Sequence, residues 1–450
     1  MEEQRQRWAE HFRELLNSPA PDTMSEIQPA AHHLAIDCSI PSINEIIKAI
    51  KMLKNGKSPG PDLIPAEALK ADPQITARIL LPLLTKIWET DELPQDWKKG
   101  YIIKLPKKGD LSQCKNYRGI MLLSVPGKIL NRIILDRIKT TVDKNLRDQQ
   151  AGFRRERSCI DQIATLRMII EQSIEWNSSL YVNFIDFEKA FDSLDREILW
   201  KLLDHYGIPT KLITLIKNMY SGMKCQVIHG GDTSAEFEIK TGVRQGCLLS
   251  PFLFLLAIDW IMRETTAGKR NGIQWNLMNQ LEDLDFADDL ALLSHTYDQM
   301  QEKTSILVNN ASKTGLRINK EKTKLMRINT NNINSIEIDN TQLENVTSFT
   351  YLGSVVNHSG GTEEDVKSRL AKAYTAFGML RKVWKSKYIT IKTKLRIFNS
   401  NVKSVLLYGS ETWSLTMANR KKLQSFVNRC LRNILQIWWP NKITNEDLWR

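Results

Sequence analysis

Short apolar runs, broken by Gly, Pro and charged pairs, divide this chain into helical and extended stretches. Over residues 1–18, Trp8, Phe12, Leu15 and Leu16 recur near helical spacing and predict a short amphipathic helix. Residues 19–41 carry Pro and Ser without a clear period and read as a linker. Ser42, with Glu45 three residues on and Ile43, Ile46, Ile47, Ile50 and Leu53 in helical register, predicts a capped helix. The run KNGKSPGPD (54–62) ends it. Residues 73–90, 126–146 and 160–176 are again helical in pattern, and Leu248 to Met262 is apolar enough for a buried helix. Trp97 to Pro106 reads as a strand entering the basic turn PKKGD (106–110). The stretches 180–186 and 224–241 are strand-like, the second as a hairpin around HGGD (229–232). From 362 onward the pattern is helical with basic outer faces. Helices and short antiparallel strands mix without regular βαβ alternation, which predicts an α+β fold.

One hydrophobic pattern stands apart. In LEDLDFADDLALLS (281–294), Leu284, Phe286 and Ala287 precede Asp288 and Asp289, and Leu290 to Leu293 follow. Two buried strands meeting at a turn with two adjacent acids is the reading. An isolated Asp-Asp pair is ordinarily a solvated turn or a helix cap, but such a turn needs no apolar flanks. Adjacent carboxylates repel, and burial raises the cost, unless a divalent cation lies between them and a further acid. Asp186 supplies that acid, at the end of the strand-like run Tyr181 to Ile185. Two acid-tipped strands suit two-metal phosphoryl transfer.

Composition adds charge and removes some alternatives. With 42% hydrophobic and 25% charged residues the chain is ordinary for a globular protein, and 450 residues allow about three domains. No apolar run reaches membrane-spanning length, and the charged start MEEQRQRWAEHF has no secretory pattern. Six scattered cysteines without a C-x-x-C pair argue against a zinc site or a disulfide framework. The net charge of +12 is local. Residues 361–450 hold 18 Lys and Arg against 6 Asp and Glu, and the other 360 residues balance at 45 of each sign. Such a segment suits a polyanion. Tyr374, Phe377, Trp384, Tyr388, Phe398, Tyr408 and Trp413 interleave the charges, either as stacking surfaces for bases or as core.

An ordered series of motifs then carries a resemblance. It runs KSPGPDLIPAE (57–67), IIKLPKKGD (102–110), NYRGIMLLSVPGKIL (116–130), QAGFRRERSCIDQI (150–163), FIDFEKAFDSLDR (184–196), GVRQGCLLSPFLF (242–254), DLDFADDLALL (283–293), GLRINKEKTK (315–324) and FTYLGSVV (349–356). In this order and at this spacing the chain resembles the endonuclease–reverse transcriptases of LINE-type (non-long-terminal-repeat) retrotransposons, over its reverse transcriptase portion. The resemblance implies a right-hand polymerase fold: an N-terminal helix and linker (1–41), fingers with an N-terminal extension (42–179), a palm with an antiparallel sheet (180–360) and a basic helical thumb (361–450).

The resemblance also implies roles. Asp186 and Asp288 match the metal-ligand aspartates, with the Phe187 carbonyl as a further ligand and Asp289 either a ligand or a residue that positions the loop. Two Mg²⁺ ions are expected, with Mn²⁺ as the alternative. Phe191 resembles the aromatic gate that excludes a ribose 2′-hydroxyl; a core aromatic is the other reading. Asp192 is read as anchoring the turn after it. Gln245 and Gly246 border the incoming nucleotide, and Arg244 meets template phosphate or solvent. Lys107 and Arg118 match the triphosphate-binding cations, with Lys104 and Lys108 as alternatives for the lysine. Lys322 or Lys324 would sit near the leaving pyrophosphate.

The implied activity is RNA-directed DNA synthesis from dNTPs, with the element's RNA as template, a DNA primer, and no membrane partner. The family acts in nucleus and cytoplasm. The resemblance implies an endonuclease domain upstream, expected to be missing from this chain, and the end at Arg450 reads as an interruption of the thumb, so an inactive nucleic-acid-binding remnant is the alternative. An RNA-directed RNA polymerase shares the palm logic, but Phe191 argues against it.

Overall fold

Ser42 and Glu45 close the expected capping box. The Glu45 amide donates to Ser42 Oγ at 3.3 Å and the Ser42 amide donates to the Glu45 carboxylate at 2.9 Å, starting the helix Ile43–Lys51. Ser158 and Asp161 repeat the device ahead of Cys159–Glu175. Asp72 caps Pro73–Thr90, whose first residue, Pro73, occupies a position where no amide is needed. The computed structural model describes residues 1–450 except 22, 25, 108 and 276–278. Lys108, one of the candidate triphosphate lysines, lies outside the described residues.

The chain divides into two compact units. The first contains Met1–Arg155, Asp186–Lys269 and Glu302–Asn319. In it Lys99–Pro106 pairs antiparallel with Tyr117–Leu123, from Gly100↔Leu123 to Pro106↔Tyr117, and parallel with Lys224–His229. The HGGD hairpin forms, with His229 opposite Asp232. The first strand starts two residues later than its apolar pattern suggests. Trp97 lies in the short 3₁₀ turn Gln95–Lys98, its ring buried beside Gly127. Apolarity marked burial there, and extended backbone begins only at Lys99. The long apolar run folds as Ser250–Thr266, buried around almost its whole circumference.

The N-terminal helix, Glu2–Leu15, belongs to the same unit. Phe12 is buried over Gly119, where a side chain on the glycine would stand 2.6 Å from the ring. The Trp8 ring meets Tyr117 edge-on at 4.9 Å. The Leu16 carbonyl accepts from the amides of Lys240 and Thr241 at 3.2 and 3.1 Å, fixing the helix end to the start of the GVRQG loop.

The second unit contains Glu156–Ile185, Arg270–Gln301 and Lys320–Arg450. Its sheet runs, edge to edge, Asp283–Phe286, Asp289–Ser294, Leu180–Ile185, Lys324–Ile328 and Glu344–Asn345, antiparallel except at the last pair. Leu180–Ile185 is central and buried at every position, which is why its sequence is a continuous apolar run with one asparagine and no alternation. Ile163, Leu166 and Ile170 of Cys159–Glu175, with Tyr351 and Val356, cover Val182, Phe184, Ala291 and Met326. The FTYLGSVV motif folds as the hairpin Ser348–Tyr351/Ser354–Asn357.

Helices after Thr362 enclose a separate core around Val366, Trp384, Phe398 and Phe426. The interleaved aromatics divide accordingly. Trp384 and Phe398 are core, Phe377 stacks on Trp384 at 5.0 Å between centroids, and Tyr388 is 99% exposed. A buried ion pair joins this region to Cys159–Glu175: Arg167 Nη2 lies 2.9 Å from the Asp365 carboxylate. All six cysteines are free thiols, and among the described residues no helix is long and apolar enough to cross a membrane.

Candidate active site

In the first unit the FIDFEKAFDSLDR motif bends immediately after its first aspartate. The Asp186 carbonyl accepts from the Asn319 amide and the Glu188 amide donates to the Arg317 carbonyl, both at 2.8 Å. Phe187 thus occupies a non-hydrogen-bonded antiparallel position opposite Ile318, which turns its own carbonyl toward the other edge of the segment. Its ring is buried, and the Asp186 side chain is half-buried. Lys189, at φ 50°, then starts the single turn Ala190–Ser193 that carries Phe191 and Asp192.

Phe191 stacks on Phe254 with centroids 4.3 Å apart and remains partly exposed. The GVRQG loop is fastened to this turn. The Val243 amide donates to the Phe191 carbonyl at 2.7 Å, and Thr241 Oγ1 donates to the Asp192 carbonyl at 3.1 Å. Gln245 Nε2 donates to both Asp192 carboxylate oxygens, at 2.9 and 3.0 Å. The Asp192 side chain therefore anchors the Gln245 loop, and only its backbone, through its amide and the Lys189 carbonyl, serves its own turn. Desolvation pushes the Asp192 carboxyl up to about 6, against the opposing pull of the Gln245 hydrogen bond and the charges of Lys107, Lys189 and Arg118.

Gly246 has φ 116°, and a Cβ there would run into the Met121 carbonyl oxygen. The protein's own backbone is thus enough to require glycine. Arg244 is not solvated: it is 4% exposed, with its guanidinium 4.4 Å from the Tyr220 ring centroid. Lys107 and Arg118 are exposed near the end of the Lys99–Pro106/Tyr117–Leu123 hairpin, where the Lys107 amide donates to the Asn116 carbonyl at 2.7 Å. The alternative, Lys104, directs its amine to the Trp8 ring at 4.8 Å and to His229.

In the second unit the acidic hairpin forms with Phe286 opposite Asp289 and a two-residue connection, Ala287–Asp288. Ala287 takes a φ of 58°, where such turns favour glycine, at a local cost of about 1–2 kcal/mol. Asp288 is half-buried and Asp289 exposed. Leu290, next along, lies opposite Ile185, the residue before Asp186. Tyr351 donates through its hydroxyl to the Leu284 carbonyl at 2.9 Å and so supports the hairpin from behind. Burial first, then Asp285, Asp289 and Asp283, raises its phenol well above the usual value. Lys324 is engaged with the Glu344 carboxylate at 2.5 Å, whereas Lys322 is exposed.

Sequence reasoning did not find the Asp192–Gln245 pair or the support from Tyr351. Both lie inside quoted motifs, but separations of 53 and 67 residues leave no local pattern to read. Among the described residues no group of three or more His, Cys, Asp or Glu side chains is gathered closely enough to hold a metal. The fit to one rests on donor chemistry: carboxylates and a backbone carbonyl are hard oxygen ligands suited to Mg²⁺ or Mn²⁺.

The family described as reverse transcriptase (RNA-dependent DNA polymerase) matches residues 105–356, and a domain family of unknown function matches 376–408. The Pol polyprotein of a type-2 retrotransposable element of Drosophila melanogaster is 27% identical over 69% of this chain and 29% of its own length. A probable RNA-directed DNA polymerase from transposon BS of the same fly is 25% identical over 87% of this chain and 44% of its own. The RNA-directed DNA polymerase from mobile element jockey of Drosophila funebris is 23% identical, over 96% and 48%. The chain spans less than half the length of each of these relatives. Among solved structures, apo telomerase from Candida tropicalis is 16% identical over 77% of this chain and 63% of its own, with a TM-score of 0.47. The mixed helices and antiparallel sheet agree with the right-hand polymerase fold of the matched family. The chain belongs to the reverse transcriptase family, an enzyme family using divalent metal ions, on the branch carried by LINE-type, non-long-terminal-repeat retrotransposons.

Proposed function

We propose that this chain joins dNTPs to the 3′-hydroxyl of a DNA primer on the element's RNA template. The observation that carries the reading is the pairing of Ile185 with Leu290, because Asp186 follows the first and Asp288 and Asp289 precede the second. Asp186, Asp288 and the Phe187 carbonyl would hold two Mg²⁺ ions, with Asp289 as a further ligand or a support for the turn. Bound there, the ions would supply activation of the primer hydroxyl and neutralisation of the triphosphate.

The chain's own groups do the rest. Lys107 and Arg118 pair with the β- and γ-phosphates, and Phe191 fills the space a 2′-hydroxyl would need. Gln245 and Gly246 border the nucleotide. Lys322 or Lys324 gives a proton to the departing pyrophosphate. Residues 42–179, 180–360 and 361–450 act as fingers, palm and thumb. The +12 charge of the last segment favours an RNA–DNA duplex through its phosphates, with binding that weakens as salt rises. The primer end would come from a nick made by an endonuclease domain or partner, with the nucleus as the place of synthesis.

The test is primer extension on an RNA template by the purified chain and its Asp186→Ala variant. DNA synthesis by the first alone is expected. Synthesis retained by the variant would refute the assignment, and preference for NTPs over dNTPs would reassign the chain as an RNA polymerase.

A further inference from the structure

We infer that the N-terminal helix belongs to the nucleotide machinery, and that Asn17 is the positioning residue that ties it there by holding the Gly242–Gly246 loop and the Phe191–Asp192 turn in one arrangement. This rests on the polymerase reading above and extends it to a part of the chain ahead of the family match, which starts at residue 105.

Asn17 follows the helix end and is bonded on three sides. Its Nδ2 donates to the Arg13 carbonyl at 2.8 Å, satisfying one of the last carbonyls of the helix, and to the Glu238 carbonyl at 2.9 Å. Its Oδ1 accepts from the Lys240 amide at 3.1 Å. The side-chain amide can face only one way, since a flip would set its oxygen against two carbonyl oxygens. One side chain thus fastens the helix end to the segment that enters the loop.

From there the bonds lead to the site. The Ser18 amide donates to Thr241 Oγ1 at 3.4 Å, and that hydroxyl donates to the Asp192 carbonyl at 3.1 Å. The Gly242 amide, next along, donates to the Leu194 carbonyl at 2.8 Å. Gly242, at φ 72°, is packed so closely that a Cβ would stand 2.6 Å from the carbonyl oxygens of both Phe191 and Asp192. A shift of residues 240–242 therefore displaces the turn with them. The apolar face of the helix lies against the same place: Phe12, Leu15 and Leu16 share a cavity of about 10 Å³ with Asp192 and Gln245. That is scarcely room for one water, so the helix supports the Asp192–Gln245 pair directly. At its other end the helix is held elsewhere, with Arg5 Nη1 2.6 Å from the Asp232 carboxylate in the 229–232 hairpin.

Positioning and plain stability predict different kinetics. A loosened loop binds the nucleotide less well in every molecule and raises KM. A merely less stable chain has fewer active molecules, which lowers the apparent kcat and leaves KM alone.

The experiment is steady-state incorporation of dTTP and of UTP on poly(rA)–oligo(dT) by the full chain, with primer–template affinity measured alongside. Asn17→Ala should raise KM for dTTP about five- to tenfold and lower the preference for dTTP over UTP, with kcat within about twofold and primer–template binding unchanged. Asn17→Asp, of the same shape, sets a charged oxygen against the carbonyls of Arg13 and Glu238 and should do at least as much. Arg5→Ala, which cuts the ion pair to Asp232, should leave KM for dTTP where it is. An unchanged KM in active Asn17→Ala, a fall in kcat alone, or an equal rise in Arg5→Ala overturns this inference and leaves the polymerase reading standing. No extension by the unmodified chain overturns the polymerase reading and the inference with it. Thr241→Val, which lacks the hydroxyl between Ser18 and Asp192, decides the matter if the Asn17 variants fail to fold: a raised KM for dTTP is expected, and an unchanged one overturns the inference.

Discussion

Replacing Asp365 with Asn should destabilise the second unit by about 3 kcal/mol. Asp365 is 1% exposed, and its carboxylate is held from four sides. Arg167 Nη2 lies 2.9 Å from Oδ2, Trp413 Nε1 donates to the same oxygen at 2.8 Å, Ser354 Oγ donates there as well, and the Val355 amide donates to Oδ1 at 2.9 Å. Arg167, 6% exposed, also donates to Ser354 Oγ and to the carbonyls of Gly361 and Val355, so Asp365 supplies the charge it is paired with. Burial depresses its guanidinium pKa, and the Asp365 charge offsets this only in part. Removing one partner of a buried pair costs about 3–5 kcal/mol, because the other charge stays desolvated. Asparagine keeps one acceptor, which favours the lower end. That is roughly a 150-fold loss in the folded-to-unfolded ratio. Urea unfolding followed by tryptophan fluorescence would show an earlier midpoint for the transition of this unit. Arg167→Met combined with Asp365→Leu should cost less than the sum of the single changes, since Arg167 no longer stays buried without its partner; Arg369, whose Nε lies 3.9 Å from Asp365 Oδ1, still loses that charge. A loss below about 1 kcal/mol for Asp365→Asn would refute the reasoning and mean that water reaches the pair.

Other outcomes follow from the site. Gly246→Ala should abolish extension while leaving the helical circular dichroism intact, because the Cβ meets the Met121 carbonyl and displaces the Gln245 loop. Phe191→Val should raise UTP use relative to dTTP by about 10-fold or more in competition assays, as the space for a 2′-hydroxyl opens. The Asp192 carboxyl is raised from 3.8 to about 6, so its protonated form favours the folded state. Its contribution is full below 3.8 and is lost as pH rises through 6, so Asp192→Asn should remove that slope from the pH dependence of stability. Chelation with EDTA should stop synthesis, and Mg²⁺ should restore it, with Mn²⁺ as the comparison ion.

Local chemistry made much of the fold legible. Ser42 with Glu45, Asp72 before Pro73, and the apolar flanks of Asp288–Asp289 are patterns complete within a few residues. They decide where helices start and where the hairpin turns. Leu180–Ile185 was legible as a strand because a central strand covered on both faces has no polar side to show. Trp97 misled, since its burial arises in a 3₁₀ turn and not in the strand.

What escaped reading is contact between distant segments. Arg167 and Asp365 are 198 residues apart, and nothing near either marks the other. Arg244 looked like a surface cation because arginines usually are; a face of Tyr220 makes its burial tolerable. Asp192 showed a spacing from Asp186 but not a partner, which the fold supplies through Gln245.

The central claim is tested most directly by dTTP incorporation on poly(rA)–oligo(dT) with Mg²⁺, comparing the chain with its Asp288→Asn variant. Labelled DNA from the first and background from the second is the expected result. Equal incorporation by both would contradict the account, because the hairpin acid would then have no part in the chemistry.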